Sequence, residues 1–214
     1  MGVNERKLRE KEARAKAILD AAESLFFERG LDGTSMDDVA KKTELSKGTL
    51  YLYFTNKNAL YRAVLRRAYT SLLKTIQAKE PEIRNGLDAT MLICETYIEF
   101  AYQQPGYFQA IAHYHSDTVG NLSDSSGAKE PGAPAGNEVL QLFAGQIQRG
   151  LNDGSIAIKV DNVVSALLLW GQYTGVLQML ISKQKLLEHY YQIKADPFLE
   201  TLLLQTRSCL ENKH

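Results

Sequence analysis

Nine residues within a short stretch carry the side chains best suited to polar recognition: Thr34, Ser35, Ser46, Lys47, Gly48, Thr49, Tyr51, Tyr53 and Lys57. They offer short hydroxyls, two ammonium groups, two phenols and one bare backbone position. Hydroxyls and phenols bond phosphate oxygens or base edges, and lysines neutralise phosphate charge. Gly48 lets a helix approach a groove edge closely, while the Thr49 methyl suits a thymine methyl. These residues therefore imply a surface for double-stranded DNA. No phosphate-cradling P-loop, HExxH pair, nucleophile elbow or dinucleotide-binding glycine pattern accompanies them, so the expectation is a protein that is not an enzyme. His113 and His115 are two residues apart and would point about 200° apart on a helix. No metal site or cofactor is expected.

These side chains need elements to hold them. Ile18, Ala21, Ala22, Leu25 and Phe26 repeat at helical spacing and predict a helix from Ala15 to Arg29, stopped by Gly30. The charged run Glu5–Lys16 extends it as a solvated helix or serves as a basic arm. Thr34 or Ser35 caps a short helix that starts at Met36, with Asp37 or Asp38 completing a capping box. Thr43-Glu44-Leu45 makes the turn, and Ser46 caps a second short helix over 47–53. Thr55 or Asn56 caps a longer helix from Lys57 to about Lys79. Leu50 and Phe54 face inward. The result is a helix-turn-helix, which presents its second helix to a major groove.

The rest of the chain also reads as helices: 85–103, 105–115, 138–152, a long uncharged run from Asp161, an ambiguous piece over 183–193, and a last helix. Asp196 should cap that last helix, with Pro197 at its first position. No strand alternation occurs, so the fold class is all-α with about nine helices. An N-terminal three-helix head (1–56) is expected to join a helical-bundle domain (57–214). Residues 116–137, rich in Gly, Ser, Pro and Ala, are expected to form a flexible loop.

Composition sets bounds. The 214 residues are 44% hydrophobic and 23% charged, with no net formal charge. The balance is uneven: residues 1–67 hold 14 Lys+Arg against 10 Asp+Glu, and the remainder holds 11 against 15. A basic head beside an acidic remainder suits a DNA-facing module joined to a part that does not face DNA. Cys94 and Cys209 form no CxxC pair and read as two buried thiols in a reducing, cytoplasmic compartment. The uncharged run 162–182 is long enough to span a membrane, or it is a buried or interface helix of a soluble protein. The second reading, with no membrane partner, fits the rest of the chain.

Taken in order, Ala22, Leu25, Phe26 and Gly30, then Thr34-Ser35, Val39-Ala40, Ser46 to Tyr51, Tyr53-Phe54, Lys57 and Leu60 resemble the TetR (tetracycline repressor) family of bacterial transcriptional regulators. The match covers about a quarter of the chain. It implies that the nine residues above meet operator DNA and that Thr34 and Ser35 cap a helix aimed at a phosphate. It also implies a dimeric repressor released from a palindromic operator by a small-molecule effector. The family usually has glycine where this chain has Glu44, so Glu44 is expected at positive φ. A homodimer spaces two recognition helices by about 34–36 Å. The Gly171/Gly175 spacing, with Val164, Leu168, Met179, Leu202 and Cys209, marks the expected dimer surface. Tyr97, Phe100, Phe108, His113, Trp170 and Tyr173 mark an expected effector pocket, apolar with a few polar tips. Two other readings stand beside this one: a helical enzyme or carrier, and a helix-turn-helix that binds a protein partner.

Overall fold

The computed structural model describes residues 3–79, 83–116, 133–157 and 161–211. Among these residues the fold is all-α. The elements are α1 (Val3–Arg29), α2 (Met36–Lys42), α3 (Lys47–Tyr51), α4 (Lys57–Lys79), α5 (Gly86–Gln103), α6 (Pro105–Ser116), α7 (Ala133–Asp153), α8 (Asn162–Tyr191) and α9 (Ala195–Leu210). The one β-type pairing among them is an isolated bridge between Ile156 and Glu211. The described residues fall into two compact units, one drawn from Met1–Ala68 and Gln109–Pro134, the other from Tyr69–Phe108 and Ala135–His214.

The first unit is built on the apolar stripe of α1. Ile18, Ala22, Leu25 and Phe26 are buried with Val39, Leu50, Leu60 and Val64 from α2, α3 and α4. Phe26 meets Tyr61 edge-on, with ring centroids 5.4 Å apart. The Tyr61 hydroxyl donates to the Ala110 carbonyl at 2.9 Å. Arg67 bridges Asp20 at 2.7 Å and Glu23 at 3.0 Å, which ties α4 to α1. The first turns of α1 have left the body. Residues 4–14 are exposed, and Arg6–Glu10 is an ion pair one turn apart. The solvated extension of α1 expected from the charged run is therefore present.

The turn between α2 and α3 is a Schellman motif. The Leu45 N–H reaches the Ala40 carbonyl at 3.0 Å, and the Glu44 N–H reaches the Lys41 carbonyl at 3.2 Å. This pattern forces the residue at C′ into the left-handed region, and Glu44 sits there at φ 55°. The positive φ expected at Glu44 is present. Glu44→Gly is expected to change stability by less than about 1 kcal/mol. Relief of roughly 1 kcal/mol of left-handed strain is offset by the extra freedom glycine gives the unfolded chain, about 0.4–1 kcal/mol. Urea melts of the two proteins check this.

The second unit centres on α5 and α8. Phe100, Tyr173 and Leu177 are almost fully buried there. The start of α5 is closed by three acceptors. Asn85 Oδ1 takes the Asp88 N–H at 2.8 Å, Asp153 Oδ2 takes the Gly86 N–H at 2.8 Å, and Ser155 Oγ takes the Leu87 N–H at 3.1 Å. These are donors that a helix start otherwise leaves unpaired. Gly86 lies directly on the backbone of α7, where an added Cβ would come within 1.9 Å of the Gly150 nitrogen.

Three expectations about elements are corrected. α3 ends at Tyr51, so Tyr53 lies in the turn after it, where its N–H reaches Leu50 O. α7 begins at Ala133, so 133–137 are helical; alanine favours a helix, and proline is tolerated in a first turn. The other residues of the expected loop, apart from Ser116 at the end of α6, lie outside the described residues. The ambiguous piece over 183–193 is helical to Tyr191 and continues α8 across a kink at Lys183, at φ −115°, ψ 15°. α9 starts at Ala195 with Lys194 as its N-cap residue, so Asp196 lies inside the first turn and does not cap it.

α8 is the one described helix long and apolar enough to cross a membrane. It is two-faced. Ser165, Ala166, Trp170, Tyr173, Thr174, Leu177 and Leu180 are buried in the unit, while Val164, Leu167, Leu168 and Met179 are exposed.

Candidate functional site

The nine residues singled out from the sequence all lie in the first unit, but they do not stand alike. Ser35 is the N-cap of α2, and the capping box is complete: Asp38 N–H donates to Ser35 Oγ at 3.2 Å and Ser35 N–H donates to Asp38 Oδ2 at 2.9 Å. The Ser35 hydroxyl and backbone N–H hold the Asp38 carboxyl below the usual carboxylate range. The folded state therefore favours the carboxylate. The contribution of the cap is present above the ordinary Asp value of ~3.9 and is lost as pH falls through the lower folded value. An NMR carboxyl titration is expected to show Asp38 titrating below the exposed Asp residues, and Asp38→Asn should flatten the acid limb of the stability curve.

Thr34 is a correction. Its side chain is buried, and its hydroxyl donates to the carbonyls of Gly30 at 2.9 Å and Leu25 at 3.3 Å. It fastens the end of α1 to the start of α2, so its hydroxyl is not placed to meet a phosphate. Lys57 is drawn in as well. It is half-buried, and Nζ donates to the Leu31 carbonyl at 2.9 Å. Part of its hydrogen-bonding capacity closes the loop after α1.

α3 carries the exposed group. Ser46 caps it, with Oγ accepting the Thr49 N–H at 3.1 Å and lying 2.9 Å from Thr49 Oγ1. Leu50 is fully buried and anchors the helix. That anchor turns Lys47, Gly48 and Tyr51 outward. An added Cβ at Gly48 would meet only Ser46 Oγ, at 3.9 Å, so the surface there is open. Tyr53 and Phe54 are half-buried. Lys47 Nζ sits 2.6 Å from Asp37 Oδ2, an exposed pair that raises the lysine's pKa through that bond and keeps it charged. Sequence reasoning missed Leu52, which is 80% exposed at the end of α3. The signal was present: Leu52 is two residues from the buried Leu50, about 200° around a helix and so on its opposite face.

The expected pocket residues divide between the two units. His113 belongs to the first, where its ring stands edge-on to Tyr61 at 6.0 Å. It is not among the others. Tyr97, Trp170 and Tyr173 line an apolar cavity in the second unit, with Leu72, Ile76, Ile93, Cys94, Val139, Phe143 and Leu169. Phe100 and Phe108 are buried but do not line it; Phe108 meets Tyr97 at 5.9 Å. The cavity measures about 20 Å³ for the centre of a water-sized sphere, close to the least that holds one water. Its two phenols bond hydroxyls outside the lining: Tyr97 OH lies 2.9 Å from Thr174 Oγ1, and Tyr173 OH donates to Thr206 Oγ1 at 3.0 Å. Burial pushes the Cys94 thiol up to about 12 and raises the Tyr173 and Tyr97 phenols, so all three are neutral.

On the outer side of α8, Gly171 and Gly175 have nothing within 4 Å of an added Cβ, and Val164, Leu168 and Met179 are exposed beside them. One expectation for this surface is reversed, and so is the reading of one thiol. Leu202 is buried within its own unit, whereas Cys209, read as a buried thiol, is exposed. Leu204, not anticipated, is 69% exposed on α9.

Residues 18–64, which include the cap, turn and α3, match the profile of the bacterial regulatory proteins of the tetR family. The similarity to that family covers residues 18–64 of the 214. IcaR of Staphylococcus aureus (strain Newman), an HTH-type negative transcriptional regulator of the biofilm operon icaADBC, is 33% identical over 72 residues, 34% of this chain and 39% of IcaR. The chain thus spans about two fifths of the length of that curated relative. Two solved structures share the fold at low identity. FadR from Bacillus subtilis, in complex with stearoyl-CoA, has a TM-score of 0.72 at 14% identity, covering 91% of this chain and 98% of FadR. AibR, in complex with isovaleryl coenzyme A and operator DNA, has a TM-score of 0.61 at 19% identity, covering 90% and 97%.

Proposed function

We propose that this chain is a sequence-specific DNA-binding transcriptional regulator, acting as a homodimer on a palindromic operator and released from it by a small molecule. The observation that carries this reading is the outward face of α3. A buried Leu50 and a Ser46 cap fix a short helix whose Lys47, Gly48, Thr49 and Tyr51 form a polar, positively charged edge. Ser35, Tyr53 and the ammonium of Lys57 flank it and supply backbone contacts, which position a protein on DNA without specifying sequence.

One such helix reads few base pairs, so two heads are required. The exposed stripe of α8 with its two open glycines is the surface we assign to the homodimer, joined by Leu204 and Cys209 of α9. Close approach of two helices at small residues buries that stripe in a four-helix arrangement.

Release follows from α4. The helix starts at Lys57, directly after the head's recognition element, and its residues Leu72 and Ile76 form part of the cavity wall. A ligand that widens so small a cavity must displace its walls, α4 among them. The ligand's affinity for the cavity and the protein's affinity for DNA are then linked by one coupling free energy, equal in both directions. Sedimentation and fluorescence anisotropy on the DNA upstream of the chain's own gene test the reading. Two chains per duplex, and weaker binding to a scrambled duplex, are expected. Equal affinity for both duplexes would overturn it.

A further inference from the structure

We infer that Leu52 is a base-reading residue of the head: its methyls pack on the 5-methyl group of a thymine in the major groove. This deepens the DNA-binding reading above and rests on it.

The fold sets where Leu52 points. Leu50 is fully buried and fixes the inward side of α3. Residues two before and two after it each lie about 200° around a helix. Gly48 and Leu52 therefore straddle the line directly opposite Leu50, the outer crest of the helix. Leu52 keeps helical backbone, at φ −69° and ψ −21°, so the geometry holds to that residue. By the same spacing, Lys47 and Tyr51 stand on one flank of the crest and Thr49 on the other. Gly48 has no side chain, and an added Cβ there would meet only Ser46 Oγ. The crest thus carries one side chain, the isobutyl group of Leu52. It is 80% exposed, more than any other large apolar side chain among the described residues.

The chemistry sets what Leu52 can meet. A lone exposed leucine is ordinary on a protein surface. One at the crest of a recognition helix is the first group to reach the base edges. An isobutyl group neither donates nor accepts a hydrogen bond, so it gains nothing from a phosphate oxygen or a polar base edge. The apolar group that the major groove displays is the thymine methyl. Contact takes both groups out of water. Cytosine at that place would set an amino donor against hydrocarbon, unpaired and desolvated. Charge favours DNA over a protein as the occupant. Residues 1–67 hold 14 Lys+Arg against 10 Asp+Glu, and the Lys47 flank suits the phosphates that border a groove.

Deoxyuridine tests this, because it keeps every hydrogen-bonding group of thymidine and lacks only the methyl. The full-length protein first selects its preferred duplex from a random library. Each thymine of that duplex is then replaced in turn by uracil, symmetrically in both half-sites, and affinity is read by fluorescence anisotropy. At one thymine per half-site the wild-type chain is expected to lose about fourfold per methyl, or roughly 15-fold for the two. Leu52→Ala should bind the thymine and uracil duplexes equally at that position. Leu52→Met, which restores an apolar side chain of similar reach, and Thr49→Ser, which removes the other methyl on α3, should both keep most of the loss there. The melting temperature of Leu52→Ala should match the wild type, because the side chain is in water. A wild-type profile with no methyl-sensitive thymine, or a Leu52→Ala profile identical to the wild type's at every position, would overturn the inference and leave the DNA-binding reading standing. A selection that returns no preferred sequence would overturn that reading, and the inference with it.

Discussion

Lys47→Ala combined with Tyr51→Phe is expected to lower operator affinity by on the order of 100-fold or more while leaving the fold intact. Both side chains are exposed on α3. Hydrogen bonds to a charged partner are worth about 1.5–3 kcal/mol each, and each tenfold in affinity is about 1.4 kcal/mol. Two lost contacts in each head of a dimer reach that figure even after a generous discount for solvent. The folding effect should be small. The Lys47–Asp37 pair is exposed on both sides, and such pairs contribute about 0–1 kcal/mol. Thermal melts with retained midpoints, beside anisotropy titrations, check both halves. Lys57 is a poorer target, because its bond to Leu31 would make loss of DNA binding hard to separate from loosening of the head.

Gly86→Ala is expected to be the most damaging single methyl in the second unit, costing about 3 kcal/mol or more. The added carbon would fall 1.9 Å from the Gly150 nitrogen and 2.3 Å from its Cα. These are backbone atoms of α7, so no side chain can rotate away. Movement of α5 would also strain the Gly86 N–H to Asp153 and Leu87 N–H to Ser155 bonds. Gly145→Ala, on the same helix with nothing within 4 Å of the added carbon, is the control and should be neutral or slightly stabilising. Chemical denaturation of the two variants measures the difference.

The contrast between these two glycines shows what the sequence could and could not reveal. Caps and turns were legible because their signals are local. Ser35 with Asp38, Ser46 with Thr49, and Asn56 with Ala59 each involve residues three apart. Glu44 at positive φ was legible through the resemblance, because the family usually has glycine at that place in the turn. Thr34 was misread because it and Ser35 are both good caps; only the carbonyls of Gly30 and Leu25, presented by the folded end of α1, settle which hydroxyl turns inward. On α9, helical spacing from Thr206 allows either Cys209 or Leu210 to be buried. The choice falls to Leu210, whose carbonyl takes the Ala157 N–H beside the Ile156–Glu211 bridge. The start of α7 was hidden by its Pro, Ala and Gly content, which reads as loop. The pocket was read from aromatic content, which does not distinguish rings that line a space from rings that fill it. The same rings pack edge-on, as Tyr97 and Tyr69 do against Trp170, and fill the space they were expected to enclose.

The account stands on α3 meeting phosphates through Lys47, and salt tests that directly. Operator affinity should be measured between low and moderate salt for the wild-type chain and for Lys47→Ala. Each phosphate contact contributes about 0.9 to the slope of log affinity against log salt. The variant's slope is expected to be shallower by about 0.9 for each head that engages DNA, hence by roughly 1.8 for a dimer. An unchanged slope would contradict the placement of α3 on DNA.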